Sequence, residues 1–197
     1  MKEFNLVISG VGGQGVITLM RIIAESALKQ GYDVKTSELH GLAQRGGHIE
    51  CHVRFGKKVY SPLVRQGKAD LILGLEPLEA MRACYYASRE AGTVFLINSY
   101  RLVPISALIA KEKYPSSSEV LNAIKPFSLR VMMINASQIV VKETGSIAPT
   151  NVYMLGYAKS NGLIPIDKES ILEGMKEIIR PKYLEMNKKV FELSFKH

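Results

Sequence analysis

Phe4-Asn5-Leu6-Val7-Ile8-Ser9-Gly10-Val11-Gly12-Gly13-Gln14-Gly15 joins an apolar run to a glycine-rich turn. Residues 4–9 have the length and composition of a buried strand. After the turn, Val16, Leu19, Met20, Ile23 and Ala27 recur at helical spacing, and Gly31 is a stop signal. Lacking Cβ atoms, Gly10 and Gly12 can turn sharply and let the backbone approach a ligand. Gly15 lets the helix pack closely on the strand. Free N–H groups at the helix start would face any anion placed there. The spacing G-x-G-x-x-G is weak evidence in isolation, and a strand-to-helix turn holding no ligand stays open. The flanking strand and helix strengthen it.

The alternation continues along the chain. Residues 33–39 (DVKTSEL), 70–75 (DLILGL), 93–98 (TVFLIN) and 130–135 (RVMMIN) read as strands. Helices are predicted over 13–30, over 77–86 and beyond, and over 136–144. Pro149-Thr150-Asn151 opens a helix ended by Gly162, Asp167 caps one reaching about Arg180, and Pro181 opens the last. Prolines at 104, 115 and 126 and the serine triplet 116–118 limit residues 101–128 to short helices and loops. In residues 48–55, Ile49, Cys51, Val53 and Phe55 alternate with His48, Glu50, His52 and Arg54, which predicts a half-exposed strand with one wet face. Gly56-Lys57-Lys58 then predicts a hairpin turn into a partner strand over 59–63. The expected fold is α/β, a Rossmann-like, mostly parallel sheet with helices on both faces and an inserted β-hairpin. No repeat, low-complexity tract or linker interrupts residues 1–197, which predicts a single domain.

Composition narrows the function classes. The 197 residues are 47% hydrophobic and 22% charged, ordinary for a globular domain. No apolar run is long enough to span a bilayer, and a strand begins almost at the N-terminus, so the expectation is a cytoplasmic protein without a signal peptide. Two cysteines, Cys51 and Cys84, form no C-x-x-C pair. An iron–sulfur cluster usually needs four thiolates, so this chain alone is not expected to hold one. Net charge is +8, and residues 29–68 hold eight Lys/Arg against three acids. Such a stretch suits a phosphorylated ligand or an acidic partner. It carries no recognised nucleic-acid motif and no cluster of stacking aromatics, so nucleic acid is not an expected partner.

The second informative segment is His40-Gly41-Leu42-Ala43-Gln44-Arg45-Gly46-Gly47, a loop at the carboxyl end of the second strand. That end of an open α/β sheet carries ligands. Arg45, flanked by glycines, suits a phosphate or carboxylate, though a plain surface arginine would look the same. Glu38 stands roughly 20 residues past the glycines, where a dinucleotide-binding domain carries its ribose-binding acid. It leads into a long glycine loop rather than a second βαβ unit, which counts against that role. His48, Glu50 and His52 share one strand face, but span about 13 Å at about 3.3 Å per residue, too far for one metal ion. Glu76, beside Pro77, is placed to cap a helix or meet a ligand. Asn98, Asn135 and Asn151 each end a strand or open a helix; capping accounts for them, and they could also line one cleft. No nucleophile–base arrangement stands out, so no catalytic residue is assigned.

Taken together, Gly10-Val11-Gly12-Gly13-Gln14-Gly15, His40 to Gly47, Gly74-Leu75-Glu76-Pro77-Leu78-Glu79-Ala80 and the stretch from Asn151 to Gly156 resemble the gamma subunit or domain of 2-oxoacid:ferredoxin oxidoreductases. The form A-Q-R-G-G points to the indolepyruvate branch, whose beta subunit consists of that domain alone. The resemblance implies a complex that decarboxylates a 2-oxoacid on thiamine diphosphate, passes two electrons through iron–sulfur clusters to ferredoxin, and transfers the acyl group to coenzyme A. This chain has no G-D-G thiamine signature and few cysteines. Thiamine diphosphate, Mg2+ and the clusters are therefore expected on a partner subunit, and homodimer contacts are left open. Gly10, Gly12, Gly13, Gln14, Gly15, Gln44, Arg45, Gly46 and Gly47 are the expected coenzyme A or interface residues. Glu38, His40, Glu76 and Asn151 are secondary candidates for ligand or interface. The alternatives are a stand-alone NAD(P)- or flavin-binding enzyme and an assembly module without a ligand.

Overall fold

The computed structural model describes residues 3–42, 46–103 and 113–196. Six strands form one sheet in the order β2-β3-β1-β4-β5-β6. They are β1 (Phe4–Val11), β2 (Asp33–His40), β3 (His48–Gly56), β4 (Leu71–Gly74), β5 (Val94–Asn98) and β6 (Arg130–Ile134). The pairs β1–β4, β4–β5 and β5–β6 are parallel. β3 runs against both β1 and β2. Seven α-helices accompany the strands among the described residues: α1 (Val16–Lys29), α2 (Pro77–Arg82), α3 (Ser117–Ile124), α4 (Ala136–Thr144), α5 (Thr150–Ser160), α6 (Lys168–Ile178) and α7 (Pro181–Leu193).

Alternation along the strands divides the core. Leu6, Ile8, Leu71, Leu73 and Leu96 face the larger cluster with α1 and α4–α7. Val7, Ile72, Phe95 and Ile97 face the smaller one under α2 and α3. Strands with both faces covered read as continuous apolar runs, which is why residues 4–9 and 70–75 were legible as buried strands. The helix after β1 lies on one face and the helix after β4 on the other, so the chain changes side between β1 and β4. Open α/β sheets bind ligands at such a switch point, outside the carboxyl ends of the strands.

Two expectations need correction. The antiparallel hairpin is β2–β3, joined by residues 41–47, and residues 59–63 form no strand. Side chains rather than a backbone ladder hold residues 59–64, and backbone bonds from Gly67, Ala69 and Asp70 anchor the end of the segment. Arg54 donates to Ser61 O and Leu63 O, His52 Nδ1 accepts from Val64 N–H at 3.2 Å, and Asp33 accepts from Val59 N–H. Nor is the polar face of β3 wet. That segment covers it, leaving Glu50 6%, His52 0% and Arg54 7% exposed. The alternation was real, but it marked a buried polar layer instead of a solvated one.

Candidate functional site

The glycine turn sits at the switch point. Gly10 is confined: a Cβ there would lie 2.8 Å from Val16 Cγ2 and 2.9 Å from Gln14 Oε1. Gln14 lines a cleft beside Gly13 and also braces the turn. Its Oε1 accepts from Val11 N–H at 2.8 Å and its Nε2 donates to Leu75 O at 3.0 Å, tying the ends of β1 and β4. Gly15 holds the N-cap position of α1 at φ 78°. A Cβ on it would come within 2.5 Å of Asn151 Nδ2, which donates to Gly15 O at 3.0 Å. Gly13 differs from both. At φ +105° it has nothing within 4 Å of where a Cβ would stand, so its backbone forms an open ridge.

The second loop meets the first. Gly12 N–H donates to Gly47 O at 2.8 Å, and Gly46 N–H, from φ +73°, donates to Gly12 O at 3.2 Å. The sheet thus brings Gly12, Gly46 and Gly47 together, while Gln44 and Arg45 lie outside the described residues. His40 reaches the same neighbourhood, beside Gly13, Gly15 and Thr18 on the α1 face. Glu38 does not. Through β3 it stands level with Ile8, two residues short of His40, on an exposed edge strand about two strand spacings, or roughly 10 Å, from β1.

Besides the hollow at His40, two more meet at the Gly13 ridge. A cleft of about 270 Å³ is lined by Gly12, Gly13, Leu75, Tyr100, Leu102 and Ile147, with Asn98, Ser137, Thr150 and Asn151 supplying polar groups. A larger open groove of about 580 Å³ runs from Gly13, Gly15 and Thr18 to Arg180, Tyr183 and Asn187 at the α6–α7 junction. Ala148 and Asn151 line both. Asn98 and Asn151 therefore share a cleft, and Asn135 is not among its lining residues. Asn98 also caps α4 from a neighbouring strand, accepting from Ser137 N–H at 3.3 Å and donating to Ser137 Oγ at 2.9 Å. Arg180 and Tyr183 escaped sequence reasoning because nothing local links them to a turn at the other end of the chain. The only hint was a cation directly before the helix-opening Pro181.

Other candidates are tied down. Glu76 is 1% exposed, caps α2 through Glu79 N–H at 3.0 Å, and accepts from Tyr114 Oη. Burial raises its carboxyl above the ordinary 4.5 despite those bonds. Burial, with the charges of Glu38 and Glu50, pushes the Cys51 thiol up to about 12, and burial pushes Cys84 up to about 11. Neither is an activated nucleophile. The two belong to cores on opposite faces of the sheet, so they cannot ligate one cluster. No group of three metal-ligating side chains occurs among the described residues.

The whole described architecture now has a counterpart. Residues 5–197 match the family model described as pyruvate ferredoxin/flavodoxin oxidoreductase. The chain belongs to this family. It is 36% identical over 197 residues to the indolepyruvate oxidoreductase subunit IorB of Thermococcus kodakarensis, covering 100% of this chain and 96% of the relative. Among solved structures, the gamma subunit of a keto/oxoacid ferredoxin oxidoreductase from Geobacter sulfurreducens superposes with TM-score 0.67 at 21% identity, over 98% of this chain and 96% of that one. The 2-oxoglutarate:ferredoxin oxidoreductase from Magnetococcus marinus, solved with 2-oxoglutarate, coenzyme A and succinyl-CoA, gives TM-score 0.72 at 19% identity. The match covers 98% of this chain and 30% of that longer one. The α/β fold with its mostly parallel sheet is thus the gamma-subunit fold of this oxidoreductase family. Among the described residues no helix is long and apolar enough to cross a membrane.

Proposed function

We propose that this chain is the gamma-type subunit of a 2-oxoacid:ferredoxin oxidoreductase of the indolepyruvate kind, inactive alone and competent only in its complex. The complex oxidatively decarboxylates a 2-oxoacid, gives the acyl group to coenzyme A and passes two electrons to ferredoxin. The partner subunit would hold thiamine diphosphate with Mg2+, which would supply the electron sink for decarboxylation, and would also carry the iron–sulfur clusters. The protein acts in the cytoplasm, where thiols such as Cys51 and Cys84 stay reduced.

This chain's own part is to hold coenzyme A. The observation that carries the proposal is the open Gly13 ridge between two hollows, in a chain whose thiols are raised by burial and whose buried carboxylates are hydrogen-bonded. A backbone ridge without side chains lets a ligand lie close, and the N–H groups at the start of α1 favour a negative group beside it. The Magnetococcus enzyme, which contains a region of this fold, was solved with coenzyme A. A dinucleotide enzyme is less well supported, because Glu38 is displaced from the glycine strand by β3.

The test is reconstitution. The purified chain alone is expected to give no 2-oxoacid-dependent dye reduction and to regain it, with coenzyme A dependence, when mixed with its thiamine-bearing partner. Turnover by the isolated chain, or a bound flavin or tightly held NAD(P), would overturn the proposal.

A further inference from the structure

We infer that Arg180 recognises the phosphoryl groups of the ligand and so fixes the direction in which coenzyme A crosses the Gly13 ridge. This rests on the coenzyme A reading above. The 580 Å³ groove has Gly13, Gly15 and Thr18 among its lining residues together with Arg180 and Tyr183. Arg180 is exposed and makes no ion pair with any described residue. The carboxylates that flank it in sequence are engaged elsewhere, Glu177 with Lys29 at 3.3 Å and Glu185 with Lys188 at 3.0 Å. A planar guanidinium therefore lines the groove unneutralised, in the form best suited to a phosphate.

Lys182 lies over the Tyr183 ring at 4.6 Å but is not among the groove's lining residues, and the cations of the basic stretch do not compete for this place. Arg54 is buried and bonded to Glu3, Asn5, Ser61 and Leu63, and Lys35 is paired with Asp33 at 3.2 Å. Lys57 and Lys58 follow Gly56, which ends β3 beside the start of β1, at the far end of the sheet from the glycine turn.

The two hollows differ in chemistry. The difference is one of charge: the smaller cleft presents Leu75, Tyr100, Leu102 and Ile147 with neutral polar groups such as Asn98 and Ser137, whereas the groove, itself partly apolar at Val152, Ile179 and Met186, adds Arg180. A ligand with phosphates at one end and a neutral, thiol-bearing arm at the other matches this asymmetry in one direction only. Its phosphates lie by Arg180, and its arm passes over Gly13 toward Leu75 and Ile147.

Equilibrium binding to the assembled complex separates the possibilities, with coenzyme A and phosphate-free pantetheine as probes. Arg180→Ala should raise the Kd for coenzyme A on the order of tenfold to a hundredfold, the range expected for charge-assisted hydrogen bonds. It should leave the pantetheine Kd and the melting temperature unchanged, and Arg180→Lys should recover part of the loss. An unchanged coenzyme A Kd in Arg180→Ala, with weakened binding in Gly13→Val, would remove Arg180 and leave the ridge as the binding element. Equal weakening for both probes would make Arg180 structural and overturn the inference. Unchanged binding in both variants would instead sink the coenzyme A reading itself.

Discussion

Glu50 and His52 show how a single side-chain layer sets local stability. His52 Nδ1 accepts from Val64 N–H, so its Nε2 carries the proton that points at Glu50 Oε1, 3.1 Å away. Tyr86 Oη donates to the same Glu50 oxygen at 2.8 Å, and the His52 and Tyr86 rings meet edge to face at 4.8 Å. Burial works against the Glu50 charge, but the hydrogen bonds from His52 and Tyr86, together with electrostatic attraction to His52 and His48, outweigh it and hold the carboxyl below its ordinary 4.5. A carboxyl depressed in the folded state gives stability that is complete above the unfolded pKa and is lost as pH falls through the folded one. Glu76, raised by burial, acts in the opposite sense and is relieved by acid, so the parent curve alone does not isolate Glu50. Glu50→Gln should cost about 1–2 kcal/mol at neutral pH, a neutral acceptor replacing a charged one. Below about pH 4.5 its melting temperature should fall less steeply than the parent's. Melting curves from pH 7 to pH 3 check this, and parallel acid limbs would rule Glu50 out. The sequence pattern of these residues was legible, but its meaning was not. Alternation reports that a strand has two unlike faces, and only the 57–70 segment, bonded through Arg54 and His52, decides that the polar face is buried.

At the scale of elements, helix packing depends on glycines that no periodicity distinguishes. α6 lies against α1 at Gly174, where a Cβ would stand 2.3 Å from Ser26 Oγ, 2.8 Å from Ile22 O and 3.0 Å from Ser26 N. Ser26 cannot swing aside freely, since it is fully buried and donates to Ile22 O at 2.6 Å. In an exposed helix, glycine to alanine would stabilise by about 1 kcal/mol. Here overpacking against backbone should exceed that gain, and Gly174→Ala should destabilise by about 1–3 kcal/mol. A denaturant midpoint that is unchanged or higher would mean that α6 separates from α1 at no cost. The βα units themselves were readable because a buried strand and an amphipathic helix each carry their own period. The partner of β3 was not, because strand pairing is set by non-local side chains. Gly56-Lys57-Lys58 looks like the tighter turn, yet the longer 41–47 loop closes the hairpin, and Pro62 in the 59–63 run has no N–H to offer a ladder. The glycine site divided in the same way. Spacing singles out Gly10, Gly13 and Gly15, whereas it does not show that Gln14, which lines the cleft, also staples β1 to β4.

For the whole molecule, the net charge of +8 and its placement bear on assembly. Of the basic residues in 29–68, Arg54 is buried, and Lys29 and Lys35 are paired with acids. Lys57, Lys58, Arg65 and Lys68 remain exposed. They belong to the segment that leaves β3 at the end of the sheet away from the glycine turn and crosses to the start of β4, so they cannot share a ligand with Gly13. Exposed charge displaced from the ligand site suits a protein surface of opposite sign, where it speeds encounter more than it tightens the final complex. Association of this chain with its thiamine-bearing partner should therefore slow as salt rises. Over the range where the Debye length shrinks from about 30 Å to about 8 Å, the on-rate should drop several-fold while the off-rate changes little. Charge reversal at Lys57 and Lys58 together should flatten that dependence without altering the coenzyme A affinity of the assembled enzyme. Stopped-flow mixing at several salt concentrations separates the two rates. An on-rate indifferent to salt would mean that the basic segment faces solvent in the complex and that docking runs through another surface.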